Sequence, residues 1–364
     1  MDKKIIPLRE KIDAIDKQLL ALMNQRACYA QEIGHLKKEI QSPVFHPQRE
    51  EQVIRDLMAV NPGPLNNQSI EPIWREIMSA CRALEQAVRV AFLGPQGNFT
   101  QEAAVAYFGS SVEFEPCASI DAIFKAVSNE NCRFGVIPIE NSTEGVVTRS
   151  LDLLQQSSLK IVGEVGLKIS HNLLSLNDHL SEIKVVYAHP QALAQCHNWL
   201  LEHMPQAQRQ AVASNAEGAR LASLDPQAAA VASEHAAGYF KLQVVAQGIQ
   251  DASNNRTRFV VLARHDELQP EFSEGGTACT SVVVSVPNLP GAVCDLLAPL
   301  KAHQVSLTRF ESRPARSDQW EYFFYMDIAG HAKEPAVAQA LEEVRRICTF
   351  FKLLGSYSVR REFV

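Results

Sequence analysis

A long, mostly apolar seam near the amino terminus constrains the fold of this chain more than any other feature. From Leu8 the seam continues every three or four residues through Ile12, Ile15, Leu19, Leu22, Arg26, Tyr29, Ile33, Leu36 and Ile40. This spacing is typical of one long amphipathic helix. A helix over residues 8–41 would be ~50 Å long, more than the core of a domain of about 85 residues can cover. We therefore expect the seam to pack against a partner subunit as well as against the helices that follow it.

One charged residue, Arg26, interrupts the seam. The helical register turns its guanidinium inward, where burial without an anion costs several kcal/mol. Lys37 falls within about 20° of the same face, at ~100° per residue. Two inward cations predict a pocket for a small polyanion, and a pair of buried salt bridges to helix-borne Asp or Glu is the alternative. Arg9 points ~100° away and can line this pocket only from a partner.

Two further helices are predicted to follow. Ser42-Pro43 ends the long helix, and Pro47 begins a second helix through about Val60 that carries Arg49 and Glu50. After the break at Asn61-Pro-Gly-Pro, Ser69 can cap a third helix. The predicted apolar face of this helix comprises Ile73, Ile77, Ala80, Leu84 and Val88, flanked by Cys81 and Glu85.

Composition narrows the classes of protein that this chain can belong to. Its 364 residues predict two or three domains, and the net charge of −6 without a basic run argues against nucleic-acid binding. Neither a signal peptide nor a membrane span is expected after the opening Met-Asp-Lys-Lys. The eight cysteines lack a CxxC pair and the histidines are scattered. This pattern favours reduced thiols in the cytoplasm and no metal site.

The middle of the chain alternates between strands and helices, which predicts an α/β fold with a largely parallel sheet, as one large or two smaller lobes. The predicted strands are 88–93, 112–114, 134–137, 160–164, 185–188, 210–213, 229–232 and 258–263. Polar clusters follow several strand ends, at 140–145, 189–195, 214–217 and 254–259. For Ser214 and Glu217 we favour helix capping, whereas Asn141, Thr257 and Arg258 favour an anionic small-molecule site.

The last ninety residues form a separate pattern. Strands at 281–286, 305–310, 320–328 and 350–356 and helices at 292–301 and 337–347 give the order βαββαβ. This order is the ferredoxin-like split βαβ plan, which predicts a small α+β domain.

Ordered motifs along the whole chain resemble the bifunctional chorismate mutase–prephenate dehydratases of phenylalanine biosynthesis. They are LREKI at 8–12, PQRE at 47–50, GPQGNFTQEAA at 94–104, PIENSTEG at 138–145, HPQALAQC at 189–196, NNRTRF at 254–259, PNLPGA at 287–292 and ESRP at 311–314. The resemblance implies three domains: an all-α chorismate mutase at 1–88, a two-lobed α/β dehydratase at 89–265 and an α+β ACT regulatory domain at 277–364.

For the mutase, the resemblance implies an intertwined dimer that rearranges chorismate to prephenate without cofactors or metals. Arg9 would come from the second subunit, and Arg26, Lys37 and Glu85 would be catalytic. The implied substrate-binding residues are Arg9, Arg26, Lys37, His46, Arg49, Glu50, Cys81 and Glu85. His46 stands where relatives can carry Asp, and Cys81 stands where they can carry Ser.

For the dehydratase, the resemblance implies loss of carbon dioxide and water from prephenate, with Thr257 as the essential hydroxyl. The implied substrate-binding residues are Asn98, Thr100, Glu140, Asn141, Ser142, Thr143, His189, Gln191, Gln195, Thr257, Arg258 and Phe259. Asn98 departs from the usual Thr or Ser at its position.

For the ACT domain, the resemblance implies phenylalanine binding and feedback inhibition in a homodimer or homotetramer. The implied ligand residues are Asn288, Leu289, Pro290, Gly291, Ala292, Glu311, Ser312, Arg313 and Pro314. Two other readings of the chain stay open. One is a dehydratase whose helices only dimerise, and the other is a non-catalytic amino-acid sensor.

Overall fold

The chain folds into two compact units. The computed structural model describes residues 5–39, 47–85, 87–252, 254–264, 278–314 and 322–360. One unit comprises Met1–Arg89 with Phe108–Glu113, and the other comprises Val90–Tyr107 with Phe114–Val364. The second unit thus contains both the α/β region and the βαββαβ region. Within the described ranges, no helix is both long enough and apolar enough to cross a membrane.

The first unit is helical, as the sequence predicts. Its helices are α1 (Ile6–Glu39), α2 (Pro47–Ala59) and α3 (Asn67–Glu85). The apolar residues of the seam face outward along the whole of α1: Leu8 is 58%, Leu22 61% and Leu36 61% exposed. The helices of the same chain therefore leave these apolar residues largely uncovered, although the sequence predicts that they cover part of the seam.

The prediction of which face of α3 is buried is wrong. Ile73 and Leu84, which we expected to be buried, are 42% and 54% exposed. The buried side instead carries Ile70, Met78 and the polar residue Arg82. The sequence misleads here because a buried cation interrupts the apolar pattern on the side that packs against α1 and α2.

Strands and helices alternate through the middle of the chain, which confirms the α/β prediction. The first run is β1 (Arg89–Leu93), α4 (Phe99–Phe108), β2 (Glu113–Cys117), α5 (Ile120–Ser128), β3 (Phe134–Asn141), β4 (Gly145–Val146), α6 (Thr148–Gln156) and β5 (Lys160–Lys168). The second run is β6 (Asn172–Ser175), a 3-10 helix (Leu180–Glu182), β7 (Val185–Ala188), α7 (Pro190–Gln195), α8 (His197–His203), β8 (Gln208–Ala211), α9 (Asn215–Ala222), β9 (Ala228–Ala232), α10 (Glu234–Phe240) and β10 (Gln243–Ala246). Strand β11 (Arg256–Ala263) follows.

These strands form two sheets, one in each lobe, and both sheets are mixed rather than largely parallel. The second run forms the sheet β10-β6-β9-β7-β8. Strand β11 returns to the first lobe, where it lies between β3 and β5 and is antiparallel to both. This central return strand makes the first sheet mixed, because it runs against its neighbours. In the second sheet β6 is antiparallel to both of its neighbours, β9 and β10. The residues that precede β11 and those at the end of β3 are thereby brought together.

The carboxyl-terminal region has the predicted βαββαβ order. Its elements are β12 (Ala278–Ser285), α11 (Ala292–Ala302), β13 (Leu307–Pro314), β14 (Tyr322–Ala329), α12 (Pro335–Ile347) and β15 (Phe350–Arg360). Trp320, the predicted start of β14, lies outside the described residues. Strand β15 pairs in parallel with β5, with Val359 opposite Glu164. This pairing joins the two regions into one ten-stranded sheet.

A glycine permits this junction. Gly355 lies in β15 directly against the backbone of β5, and a β-carbon there would overlap the carbonyl oxygen of Ile161. Lys160 adds a bond across the same junction by donating from Nζ to the carbonyl of Leu353. A glycine inside a strand often marks such a close backbone approach.

Candidate functional sites

The larger cavity, of about 540 Å³, lies between the two lobes of the α/β region. Both lobes contribute, through the ends of their strands and the first turns of the helices that follow. Eight of the predicted dehydratase residues line it: Asn98, Thr100, Asn141, His189, Gln191, Gln195, Thr257 and Phe259. These residues come from four separate motifs, which the folded chain brings to one place.

Asn141 and Thr257 make the central polar contact of this cavity. They are cross-strand partners on β3 and β11, and Nδ2 of Asn141 donates to Oγ1 of Thr257 at 2.8 Å. The orientation of the amide is set by its other end, since Oδ1 of Asn141 accepts from the backbone N–H groups of Thr143 and Glu144. Because Thr257 accepts this bond, its hydroxyl proton is available as a donor.

Asn255 is a second residue in this network. Nδ2 of Asn141 also donates to Oδ1 of Asn255 at 2.8 Å, and Asn255 is only 5% exposed. The quoted NNRTRF motif contains Asn255, but sequence reasoning did not select it. A buried amide whose carbonyl is engaged leaves its own N–H groups for other partners in the cavity.

His171 also lines the cavity, and sequence reasoning missed it. It is 2% exposed, and burial lowers the pKa of its imidazole below the ordinary value, which keeps the ring neutral near pH 7. Its Nε2 lies 2.7 Å from Oε1 of Gln195, so Nε2 is the protonated nitrogen. The position just after the end of β5 was the available signal, since cavity residues gather at strand ends.

Four predicted dehydratase residues do not line this cavity. Glu140 and Arg258 turn to the opposite face of the sheet, because they alternate with Asn141 and Thr257 along β3 and β11. Ser142 ties the loop to β11 by accepting from the backbone N–H of Arg256 at 2.9 Å. The side chain of Thr143 is exposed, and only its backbone supports Asn141.

The described residues that line the larger cavity include no Lys or Arg. Apart from the carboxylate residue Glu144, neutral groups and helix starts supply the polarity of the lining. Ser214 caps α9 by accepting from the N–H of Glu217 at 3.1 Å, which agrees with its predicted role, and Ser233 caps α10. Asn98 accepts from the N–H of Gln101 at the start of α4. Helix amino termini and amide donors favour an anionic ligand.

The smaller cavity, of about 300 Å³, lies among the three helices of the first unit. Six of the predicted mutase residues line it: Arg26, Lys37, Arg49, Glu50, Cys81 and Glu85. Arg26 and Lys37 thus share one cavity, as their spacing on α1 predicts. Arg9 is exposed and does not line it, and His46 lies outside the described residues.

A Lys–Glu pair spans this cavity. Nζ of Lys37 lies 3.9 Å from Oε2 of Glu85. Burial raises the pKa of the Glu85 carboxyl above its ordinary value, although Lys37 and Arg82 oppose the shift. Gly34 allows α3 to come this close, because a β-carbon at position 34 would lie 2.9 Å from Cβ of Glu85.

Arg82 is a cavity residue that sequence reasoning missed. It is 4% exposed, pairs with Glu50 and donates to the carbonyl of Phe108. Its place on α3 next to Cys81 was the available signal. Glu50 is one of the implied substrate-binding residues, and in this structure one of its carboxylate oxygens is bound to Arg82.

The predicted regulatory segments lie at two places in the βαββαβ region. Residues 287–291 form the loop between β12 and α11, where Gly291 has φ of +84° and Leu289 is 66% exposed. Residues 311–314 end the edge strand β13. Arg313 of this segment pairs with Asp152 on α6 at 3.4 Å.

Family models match three successive parts of the chain. Residues 8–86 match chorismate mutase type II, residues 90–267 match prephenate dehydratase, and residues 280–346 match the ACT domain. The smaller cavity lies in the first match and the larger cavity in the second.

Known proteins resemble the chain over most of its length. A bifunctional chorismate mutase/prephenate dehydratase from Neisseria gonorrhoeae is 45% identical over 360 residues, covering 98% of each chain. The crystal structure of a prephenate dehydratase from Arthrobacter aurescens in complex with L-Phe has a TM-score of 0.67 and 34% identity, and covers 74% of this chain and 90% of that chain. A quorum-quenching acylase, GqqA, has a TM-score of 0.68 and 27% identity, covering 75% and 98%.

Proposed function

Because the chain belongs to the family of bifunctional chorismate mutase/prephenate dehydratases, we propose that its two cavities catalyse successive reactions. The smaller cavity rearranges chorismate to prephenate, and the larger cavity converts prephenate to phenylpyruvate. The observation that carries this proposal is that relatives match the chain through both cavities and not through one alone. Likeness to an acylase covers 75% of this chain, and a shared fold does not fix an activity.

The charges of the smaller cavity suit chorismate, which carries two carboxylates and an ether oxygen. Arg26 and Arg49 bind carboxylate oxygens, and Lys37 and Glu85 flank the breaking ether bond. The rearrangement is pericyclic, so the protein holds the substrate in its folded conformation and stabilises charge on the ether oxygen. Glu85 can donate to that oxygen only when protonated, and its raised pKa favours this form.

In the larger cavity the reaction is the loss of carbon dioxide and of the ring hydroxyl. Prephenate dianion plus one proton gives phenylpyruvate anion, carbon dioxide and water. The C–C bond to the carboxylate breaks, its electron pair makes the ring aromatic, and the C–O bond releases hydroxide as water. Thr257 donates the hydrogen bond that carries the proton to the departing hydroxyl, while Asn141 holds Thr257 in place.

The absence of Lys and Arg from the described lining of this cavity bears on how decarboxylation is favoured. A carboxylate held by neutral donors such as Gln191 and Asn255 is less stabilised than one paired with a cation. The carboxylate charge disappears as carbon dioxide forms, so weaker stabilisation of the ground state lowers the barrier. His171 and Gln195 form one hydrogen-bonded pair on the opposite lobe and orient the substrate.

The βαββαβ region is an ACT domain, and we place phenylalanine at its 288–292 and 311–314 segments as a feedback inhibitor. The complex of the Arthrobacter aurescens dehydratase with L-Phe supports this assignment. For inhibition, phenylalanine must bind the inactive state more tightly than the active one.

A homodimer, either alone or within a homotetramer, completes the smaller cavity. The outward apolar seam of α1 needs a cover, and a second copy of the same helix provides it. Arg9 of that copy then reaches the cavity that it cannot reach from its own helix. The eight free cysteines suit a reducing cytoplasm.

The experiment that tests this function follows chorismate loss and phenylpyruvate formation by the purified protein, with and without phenylalanine. Phenylpyruvate formed from chorismate and suppressed by phenylalanine is the expected result. Turnover of added prephenate alone would reduce the helices to a dimerisation module. Turnover of neither substrate would contradict the proposal and favour an amino-acid sensor.

A further inference from the structure

Arg258 faces away from the larger cavity, into a cluster of charges. Its Nη1 donates to Oε2 of Glu140 at 3.1 Å, its Nη2 donates to Oε2 of Glu164 at 2.6 Å, and its Nη2 also lies 3.0 Å from Oδ2 of Asp327. Arg309 completes the cluster, with Nε 2.9 Å from Oε2 of Glu140 and Nη1 4.0 Å from Oδ2 of Asp327. We call these five residues the charge cluster.

The charge cluster joins two regions of the chain. Glu140, Glu164 and Arg258 lie on β3, β5 and β11 of the dehydratase lobe, whereas Arg309 and Asp327 lie on β13 and β14 of the ACT domain. The side chains of Glu164, Arg309 and Asp327 are 8%, 8% and 5% exposed. Charges this buried are stable only when paired, so each region depends on the other for partners.

The dehydratase members of the cluster are the sequence neighbours of the central cavity residues. Glu140 precedes Asn141, and Arg258 follows Thr257. In the antiparallel pairing of β11 with β3, Thr257 lies opposite Asn141 and Arg258 lies opposite Glu140. Consecutive residues of a strand point to opposite faces and share one backbone. A displacement of Arg258 that moves the backbone of β11 therefore also moves the Thr257 hydroxyl on the other side of the sheet.

We propose that Asp327 is a positioning residue of the dehydratase: through Arg258, the ACT domain sets the geometry of Thr257 and Asn141. This inference rests on the proposed function and assigns the route by which the ACT domain acts on it. Arg309 provides the second connection, from β13 to Glu140. The segment 311–314 continues the same strand, so a ligand that displaces it acts on the cluster through two residues of backbone.

Contacts elsewhere hold the two regions together without touching the catalytic residues. Nζ of Lys160 donates to the carbonyl of Leu353. Lys160 begins β5 and lies opposite Ala263 of β11, six residues from Thr257. Lys352 donates to carbonyl groups at the end of α6. Lys160→Met is therefore a matched control that weakens the junction away from the cavity.

The test compares Asp327→Asn, Arg309→Met and Lys160→Met in the full-length chain. Asp327→Asn keeps the shape of the side chain and removes its charge. We expect a loss in kcat for prephenate of roughly 2- to 30-fold with KM little changed, because Thr257 acts in the transition state. Arg309→Met should lower the same kcat, and Lys160→Met should not. Both cluster variants should also shift the phenylalanine concentration needed for half-inhibition.

Thermal unfolding and circular dichroism of the same proteins report whether each variant is folded. A double variant, Arg258→Met with Asp327→Asn, should lose no more kcat than Arg258→Met alone, because Asp327 acts on Thr257 through Arg258. Wild-type kcat and phenylalanine response in both cluster variants would overturn the proposal, as would multiplicative losses in the double variant. A wild-type protein that does not turn over prephenate would instead reject the proposed function.

Discussion

Nζ of Lys37 and Oε2 of Glu85 lie 3.9 Å apart across the smaller cavity, one on α1 and the other on α3. The distance is long for a direct ion pair, and burial raises the pKa of Glu85 in spite of the neighbouring cation. A protonated Glu85 and a charged Lys37 are both donors. In the proposed mechanism the pair presents two donors to an oxygen that becomes negative in the transition state.

The first prediction concerns the pH dependence of the mutase. Because the pKa of Glu85 is raised, its protonated form persists above the ordinary range of a carboxyl, and mutase activity should fall as pH rises through that pKa. In Glu85→Gln the side-chain amide donates at every pH, so this substitution should flatten the dependence of mutase activity on pH. The measurement is kcat/KM for chorismate against pH for both proteins. A descending limb that survives unchanged in Glu85→Gln would reject this role.

The second prediction concerns the Thr257 hydroxyl. Thr257→Val keeps the shape of the side chain and should lower kcat for prephenate by about 10²- to 10⁴-fold, the usual contribution of a positioned proton donor. Prephenate should then accumulate from chorismate, since the mutase cavity is untouched. The matched control is Thr143→Val, because the side chain of Thr143 is exposed and outside the cavity. Equal losses in the two variants would count against Thr257 as the donor.

The third prediction tests whether the mutase cavity is shared between subunits. Arg9→Ala and Arg26→Ala should each be inactive as a mutase. A mixed dimer of the two variants contains one intact cavity, with Arg26 from one chain and Arg9 from the other. Random mixing should therefore restore about a quarter of wild-type activity. Chorismate turnover after subunit exchange measures this, and no recovery despite proven exchange would place both residues in one chain's cavity.

The fourth prediction concerns the junction between β15 and β5. Gly355→Ala would place a β-carbon on the Ile161 carbonyl oxygen and should destabilise the protein by roughly 1–3 kcal/mol. Gly238→Ala is the matched control, because Gly238 lies in α10 with open space around its α-carbon. It should leave the unfolding temperature unchanged or raise it slightly. Thermal unfolding of the two variants compares them directly, and a Gly355→Ala protein as stable as wild type would show that β15 can move away.

The three kinds of fold could be predicted from residue patterns, whereas the family and both reactions were predicted from motifs that resemble those of known proteins. Periodicity placed Arg26 and Lys37 on one face of α1, and the structure brings both into one cavity. The period of a helix depends only on local backbone geometry, so the face on which a residue lies can be predicted without the tertiary structure. The same local logic misassigned the face of α3, where buried Arg82 lies among apolar residues.

The amino-acid sequence specifies which chemical groups this protein has and which helix or strand carries each of them. Which of these groups come into contact depends on the tertiary structure. Arg258 follows Thr257 in the chain, yet its partners are 69 and 94 residues away, in Asp327 and Glu164. Strand alternation sends Arg258 to the opposite face, and the docking of the ACT domain supplies the carboxylate there. Long-range pairing depends on how packed elements meet, and no local pattern in the chain contains that information.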